Sequence, residues 1–582
     1  MPDWTSRILN WWATGAGRVV SLILVSAVAV WFTLPAFSVA YSEGFQPEIV
    51  INAHAFRSND PDAANALYPF NRQFFLLTRL GTTLGMLGLQ HIGDLNGLAA
   101  FRIIGVTSLA VLVGTLLTLL WRVYRVHPVL GLLCCILFPP IYEATYLPND
   151  NMPSAALIAV ALLLFWTNPT VPRTVATGLL LGVAALLRLD ALLVAPAFAI
   201  LLLTEVPDWR ARAVRAGIAA GLVAAVPIMV YWLCGLSFFD TFAAVDRGIE
   251  MWDRPNRPLY NDLRTATRSM TALGGLAWVL GIAAFVRTRR WRDLSLAVLV
   301  PLFYVVAYRA QLVENRYLLP LSPFLLLAMA EGLRSVASLP GRWRTVSVTG
   351  LAAGFALWIV PPPSILKPNV LADDEGPRFL VGRAWNPLPT LWWQGRLRAG
   401  QAVVEAQIER IAATPDPVIV TGYWNADRLV TMLLLEHGFT SKPSRTPEPC
   451  RSIAETLVRG PVVLTQIRTH IPFIREQSER VTWELAGLPC LRAIQPVARP
   501  VLLVDSVVLS GPVARLAGPE ILFSGAHGPA APLAPQFGPM LTGLVVASLP
   551  VDGVAALLKA AATPEDRQAA IGTVARRAAL LR

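Results

Sequence analysis

From Val19 to Val360 the apolar residues fall in long unbroken stretches separated by short polar joints, without the strict alternation of a half-buried sheet. A helix needs about 20 apolar residues to cross the hydrocarbon core of a bilayer, and on that scale the pattern predicts about eleven transmembrane helices. They centre on residues 22–40, 100–121, 129–146, 152–166, 175–187, 189–204, 216–236, 271–286, 294–308, 317–333 and 345–360. One polar interval is much longer than the others: the loop 42–98, which opens Ser42-Glu43-Gly44 directly after the first span.

Charge gives these spans a direction. Short cytoplasmic loops retain arginine and lysine, and Arg7, Arg18, Arg122, Arg125, Arg173, Arg210, Arg212, Arg215, the run Arg287 to Arg292 and the run Arg334 to Arg344 all fall at one end of the spans. That end is read as cytoplasmic, with the N-terminus. The first loop, Pro148 to Asn151, Arg188-Leu189-Asp190, the loop 236–270 and Arg309 to Arg316 then face outward, and every notable polar cluster is expected there.

An odd number of spans leaves the chain outside after Pro361-Pro362-Pro363. The predicted organisation is a membrane module, 1–363, followed by an extracytoplasmic domain, 364–582. In that domain Asp416 to Gly422 reads as a buried strand leading to a helix near Ala426 to His437. Pro461 to Thr465 and Val501 to Val508 repeat the strand signal, so an α/β or α+β fold is expected.

Composition agrees with the pattern. The 582 residues are 55% hydrophobic and 15% charged, a balance shifted well away from the soluble average. The formal charge of +12 would point to nucleic acid in a soluble basic domain, but most of the arginines sit at span ends, so it is read as topology and no nucleic-acid partner is expected. Basic residues are almost all arginine, with only Lys367, Lys442 and Lys559, in an Ala- and Pro-rich chain typical of a GC-rich bacterial genome. A multi-pass protein of the bacterial cytoplasmic (inner) membrane follows.

The six histidines and five cysteines show no zinc or redox spacing, and no metal site is assigned. Cys450 and Cys490 are the only cysteines of the outer domain, where an oxidising compartment makes a disulfide plausible, the alternative being two buried thiols.

Candidate chemistry gathers in the outward joints. Glu43 at the mouth of the first span could act as a general base toward a hydroxyl if burial or a neighbour tunes it. Glu48, Asp60 and Asp62 are further carboxylates in the same loop, each also readable as a solvated charge. Tyr68-Pro69-Phe70-Asn71-Arg72 then leads into an amphipathic stretch reaching Gln90. Asp150, in Leu147-Pro148-Asn149-Asp150-Asn151, is either a site carboxylate or an ordinary helix cap.

The loop 236–270 carries Arg247, Arg254, Arg257, Arg264 and Arg268 against Asp246, Glu250, Asp253 and Asp262. It is either self-paired or a phosphate clamp, since arginine holds phosphate by bidentate charge-assisted bonds. Trp252 and Tyr260 would suit the depth of a lipid phosphate. Arg188 and Arg316 lie at apolar span mouths, where an ionisable group must be paired or face a polar cavity. With Asp190 and Glu314 they form structural pairs, or they line a lipid-phosphate cavity.

Taken in order, these residues resemble the GT-C superfamily of polyprenyl-phosphate-dependent glycosyltransferases, in the branch of protein O-mannosyltransferases and the lipid A aminoarabinose transferase. The matching features, across Val19 to Val360, are Glu43 after the first span, the Pro-aromatic lead-in Tyr68 to Leu80 and Asp150 before the fourth span. Leu187-Arg188-Leu189-Asp190-Ala191 and Arg316-Tyr317-Leu318-Leu319-Pro320-Leu321-Ser322-Pro323-Phe324 complete the series. Where relatives carry an acidic pair this chain has Ser42-Glu43, which keeps Asp60 and Asp62 as alternative bases.

The resemblance implies inverting transfer of a sugar from a polyprenyl-phosphate donor to a hydroxyl of a cell-envelope glycan, lipid or protein at the outer membrane face. In that reading Glu43 takes the acceptor proton, while Arg188, Arg254, Arg257, Tyr260 and Arg316 hold the lipid phosphate. A divalent cation (Mg or Mn) is compatible with this but not demanded. A transporter or lipid flippase would instead predict internal repeats and acidic or broken mid-span positions, and a membrane-anchored binding protein would leave the outer-face clustering without purpose.

Overall fold

The computed structural model describes residues 47–58, 69–93, 95, 97–141, 150–167, 169–251, 270–308, 315–338, 341–342 and 349–350, five strands between 418 and 549, and isolated positions between 17 and 27. Two compact units divide the chain, one comprising 1–38, 74–86 and 99–390, the other 39–73, 87–98 and 391–582. The proposed boundary at 363 and the spans 22–40 and 345–360 lie outside the described residues or nearly so.

Helix α1 spans Pro47–Ser58, α2 Pro69–Thr78, α3 Leu80–Gly93, α4 Gly97–Tyr124 and α5 Pro128–Ile136. Then follow α6 Asn151–Thr167, α7 Val171–Leu187, a 3-10 turn Leu189–Val194 and α8 Ala195–Glu205. Next come α9 Trp209–Leu233, α10 Asp240–Met251, α11 Ala272–Arg287, α12 Trp291–Ala307, a second 3-10 turn Asn315–Leu321 and α13 Ser322–Ala337. Ala99–Tyr124, Trp209–Leu233 and Arg316–Val336 are long and apolar enough to cross a membrane, and three shorter apolar helices accompany them. The chain is a polytopic helical membrane protein.

Two of the expected spans differ from plain helices. Residues 189–204 and 317–333 both begin as a 3-10 turn after a buried arginine and become α-helical only at a proline near the new helix start. Proline's fixed φ and missing N–H suit a helix's first turn but not its interior, so Pro196 and Pro323 mark where the α-helices α8 and α13 begin. The turns leave backbone and side chains free to point sideways between helices.

The membrane core is built by close approach of helices. In a lipid solvent apolar burial drives helix association weakly, and small residues that admit tight packing take over. At the crossing of α11 and α13 a Cβ on Gly281 would lie 1.8 Å from the Ala328 carbonyl oxygen, and one on Gly332 would lie 1.9 Å from that of Ala277. Each glycine therefore seats the other helix's backbone. Around this crossing Phe285, Leu296, Val300, Phe324 and Leu326 are fully buried.

In the second unit the strands are β1 Val418–Thr421, β2 Val462–Thr465, β3 Val501–Asp505, β4 Ile521–Ser524 and β5 Val545–Leu549. The sheet order is β1-β2-β3-β5-β4, with β1, β2 and β3 parallel and β5 antiparallel to both β3 and β4. The first three fall on the segments read as strands from the sequence. Parallel neighbours require long crossover connections, and the connections here, including the expected helix 426–437 and both Cys450 and Cys490, lie outside the described residues.

Candidate functional site

Arg188 ends α7 in an extended conformation, φ −156° and ψ 125°, which swings its side chain away from the helix axis and into the protein. It is among the largest fully buried side chains. A guanidinium has five N–H donors in a fixed fork, and all three nitrogens of Arg188 are engaged. Nε donates to Asp190 Oδ1 at 2.8 Å and an Nη2 proton to Asp190 Oδ2 at 3.2 Å. Nη1 donates to both oxygens of Asp150 at 3.2 Å, and the second Nη2 proton goes to the Tyr308 hydroxyl at 2.9 Å. The pairing of Arg188 with Asp190, one of two alternatives left open by the sequence, is present, and Asp150 extends it.

Tyrosines close the cluster. Tyr304 Oη lies 3.0 Å from Asp190 Oδ2 and 2.7 Å from the Tyr317 carbonyl, so its single proton is shared between two acceptors. The Tyr317 ring stands 5.2 Å from the Arg188 guanidinium and 5.5 Å from that of Arg316, both within cation–π range. Tyr304 and Tyr308 were not singled out in the sequence, yet their i,i+4 spacing at the end of α12 was the available signal, because it puts two hydroxyls on one helix face.

Asp150 is completely buried. It immediately precedes α6 and its carbonyl accepts the Ser154 N–H at 3.4 Å. Its carboxylate, however, is held by guanidiniums, with Arg188 on one side and an ion pair to Arg79 on the other. The cap reading thus describes its backbone and the site reading its side chain.

Arg79, like Tyr304 and Tyr308, was not singled out in the sequence. It sits at the break between α2 and α3, the only arginine or lysine between Gln73 and Gln90. Two contacts pin that break: the Leu77 carbonyl accepts from the Tyr231 hydroxyl and from Thr241 Oγ1, the latter at 3.2 Å. A third is steric, because a Cβ on Gly81 would lie 2.8 Å from the Leu186 carbonyl carbon, so α3 starts against the backbone that leads into Arg188. The guanidinium itself has Asp150 and, at 2.9 Å, the Thr78 carbonyl as partners among the described residues, and its side chain is 12% exposed. Donors remain for a further anion.

Of the other assigned residues, Arg316 is buried beside this cluster. Glu43, Asp60, Asp62, Arg254, Arg257, Tyr260 and Glu314 lie outside the described residues. Among the described residues no group of three or more His, Cys, Asp and Glu side chains converges as a cation's ligands. Asp150 and Asp190 are themselves committed to arginine, so they do not offer a divalent ion a free carboxylate.

The expectation that polar clusters gather only at the outward end is corrected by the structure. At the opposite end of the helices Asp293 accepts from Tyr124 Oη at 2.9 Å, Arg290 Nε at 2.7 Å and Arg292 Nε at 2.9 Å. Arg292 also pairs with Glu205, and Arg290 reaches Glu331 at 3.2 Å. Arg334 donates to the Tyr124 carbonyl at 3.0 Å. Several arginines read only as topological charge are therefore internal ties; the acids that hold them, far apart in sequence, hid the network.

No family model matches the chain, and no curated protein matches it. Solved structures do. ArnT from Cupriavidus metallidurans in the apo state is 15% identical, with 94% of this chain and 99% of that chain covered, at TM-score 0.46. The same protein bound to undecaprenyl phosphate is 16% identical over 94% and 99%, at 0.42. The oligosaccharyltransferase AglB from Archaeoglobus fulgidus, in complex with an inhibitory peptide and a dolichol-phosphate, is 12% identical over 72% and 64%, at 0.39.

Proposed function

We propose that the chain is an inverting glycosyltransferase, moving a sugar from a polyprenyl-phosphate donor to an acceptor hydroxyl at the outer face of the cytoplasmic membrane. The observation that carries this reading is Arg79: a guanidinium anchored to a fully buried carboxylate, with donors left over, at the break between α2 and α3. Such a group is a preorganised cation for a leaving phosphate, and fixed charge aimed at a developing anion is usually the largest single contribution to catalysis.

The roles divide as follows. Glu43 takes the acceptor hydroxyl's proton as the oxygen attacks the anomeric carbon. The bond from that carbon to the phosphate oxygen breaks with its electron pair on the lipid phosphate. Arg79 meets that charge, with Arg316, Arg254, Arg257 and Tyr260 as further phosphate contacts and Asp60 as the alternative base. Arg188 acts from behind, holding Asp150 and through it Arg79; each of its three nitrogens already donates to the protein. No step is routed through a cation.

The sheet-containing region is read as an extracytoplasmic domain of α/β or α+β type, with Cys450 and Cys490 joined. Purified protein given a panel of radiolabelled polyprenyl-phosphate sugars is expected to release label to an envelope acceptor from one of them. The Glu43→Gln variant should bind that donor without turning it over. Wild-type turnover by Glu43→Gln would remove it as base, and no transfer from any donor would sink the reading.

A further inference from the structure

Two arginines stand where glycine is the usual choice. Arg125, just past α4, has φ 57°, and Arg289, just past α11, has φ 55°. In this left-handed region a Cβ crowds the backbone, which is why helices ending this way mostly use glycine. Both are true helix stops: Arg125 N–H returns to the Trp121 carbonyl at 3.0 Å, and Arg289 N–H to that of Val286 at 3.1 Å. The fold needs the turn but gains nothing from the guanidinium.

Tyr124 links the two turns only through their neighbours. Arg125 follows it in sequence, and Arg289 precedes Arg290, whose guanidinium lies 5.1 Å from the Tyr124 ring. The carboxylates nearby are already taken: Asp293 by Arg290 and Arg292, Glu205 by Arg292, Glu331 by Arg290 and Arg334. Arg125 and Arg289 are exposed, and among the described residues neither makes an ion pair. Exposed apolar side chains stand within four residues of them in sequence, Val129 49%, Val286 47% and Trp291 59% exposed, beside the further exposed arginines Arg122 and Arg287. Trp209, 68% exposed with the Arg210 guanidinium 5.6 Å from its ring, marks the same end as interfacial.

We propose that Arg125 and Arg289 form a headgroup site for an anionic membrane phospholipid, at the end of the bundle opposite Asp150. The two guanidiniums hold the lipid phosphate by charge-assisted hydrogen bonds, while Val129, Val286 and Trp291 lie against the acyl chains. A free anion would use the charges but not these apolar side chains, so the lipid is the occupant. The site does not depend on the transfer reaction proposed above.

The test uses the full chain in phosphatidylcholine nanodiscs, with and without phosphatidylglycerol, read by melting temperature. Wild type should melt higher with phosphatidylglycerol. The double variant Arg125→Gly/Arg289→Gly relieves the left-handed backbone, so it should melt higher than wild type in pure phosphatidylcholine and lose the phosphatidylglycerol increment. If it does not fold, Arg125→Asn/Arg289→Asn replaces it. The control Arg122→Ala/Arg287→Ala removes two exposed arginines with helical backbone from the same ends and should keep most of the increment. An increment that survives in the glycine variant, or is absent in wild type, or falls equally in the control, overturns the site. A matching rise from inorganic phosphate alone in phosphatidylcholine would replace the lipid by a free anion.

Discussion

The two ends of the helical unit carry networks of the same chemistry, arginine, aspartate and tyrosine, but they are sealed to different degrees. The central carboxylates are buried at both ends, Asp150 0%, Asp190 8% and Asp293 2% exposed, but Arg188 is 2% exposed whereas the side chains of Arg290 and Arg292 at the other end are 31% exposed. Water can partly replace a lost partner at the second end and not at the first. Removing one member of a buried charge pair leaves an uncompensated ion, while partly exposed pairs are worth far less. Similar residues therefore do different work: the sealed end holds a fixed geometry, the one assigned to transfer in the proposed function, and the open end ties helices.

The largest expected contrast comes from Arg188→Met. It strands Asp150 and Asp190, and unfolding free energy measured by denaturant titration in detergent should drop by about 3–5 kcal/mol, with transfer lost. Next is Arg79→Met, expected to lower turnover on the order of 100-fold while the protein stays folded, because it removes a cation from the leaving phosphate and not a helix contact. Steady-state assay with a melting curve separates the two; an unchanged rate would take Arg79 out of the site. Tyr308→Phe leaves one Arg188 proton unmade in a buried place and should cost about 1–2 kcal/mol. Smallest is Arg292→Met, about 1 kcal/mol or less, since Asp293 keeps Arg290 and the Tyr124 hydroxyl. If Arg292→Met matched Arg188→Met, the contrast in sealing would mean nothing.

What could be read in sequence follows the cost of burial. Arg188, Asp190 and Asp150 were legible because charge inside an apolar run demands a partner. Arg79 was not, because one arginine in an amphipathic stretch looks like a solvated face until the break at residue 79 turns it onto Asp150. Tyr304 and Tyr308 hid in the same way, since tyrosine near a span end ordinarily means an interface. Helix positions were legible from long apolar runs, but the 3-10 openings after Arg188 and Arg316 were not. Both segments are as apolar as the helices they lead into, and only their prolines mark the change.

Helix α12 belongs to both networks, with Asp293 near its start and Tyr304 near its end. Those positions are three helical turns apart and so share a face, and each residue added or removed between them would rotate one against the other by about 100°. Among relatives, the ten intervening positions should then tolerate exchanges of apolar type on the lipid-facing side, as at Leu299, Leu302 and Phe303, which are 46–57% exposed. Insertions and deletions there should be absent, because the length of this segment is the ruler that keeps the two ends in phase.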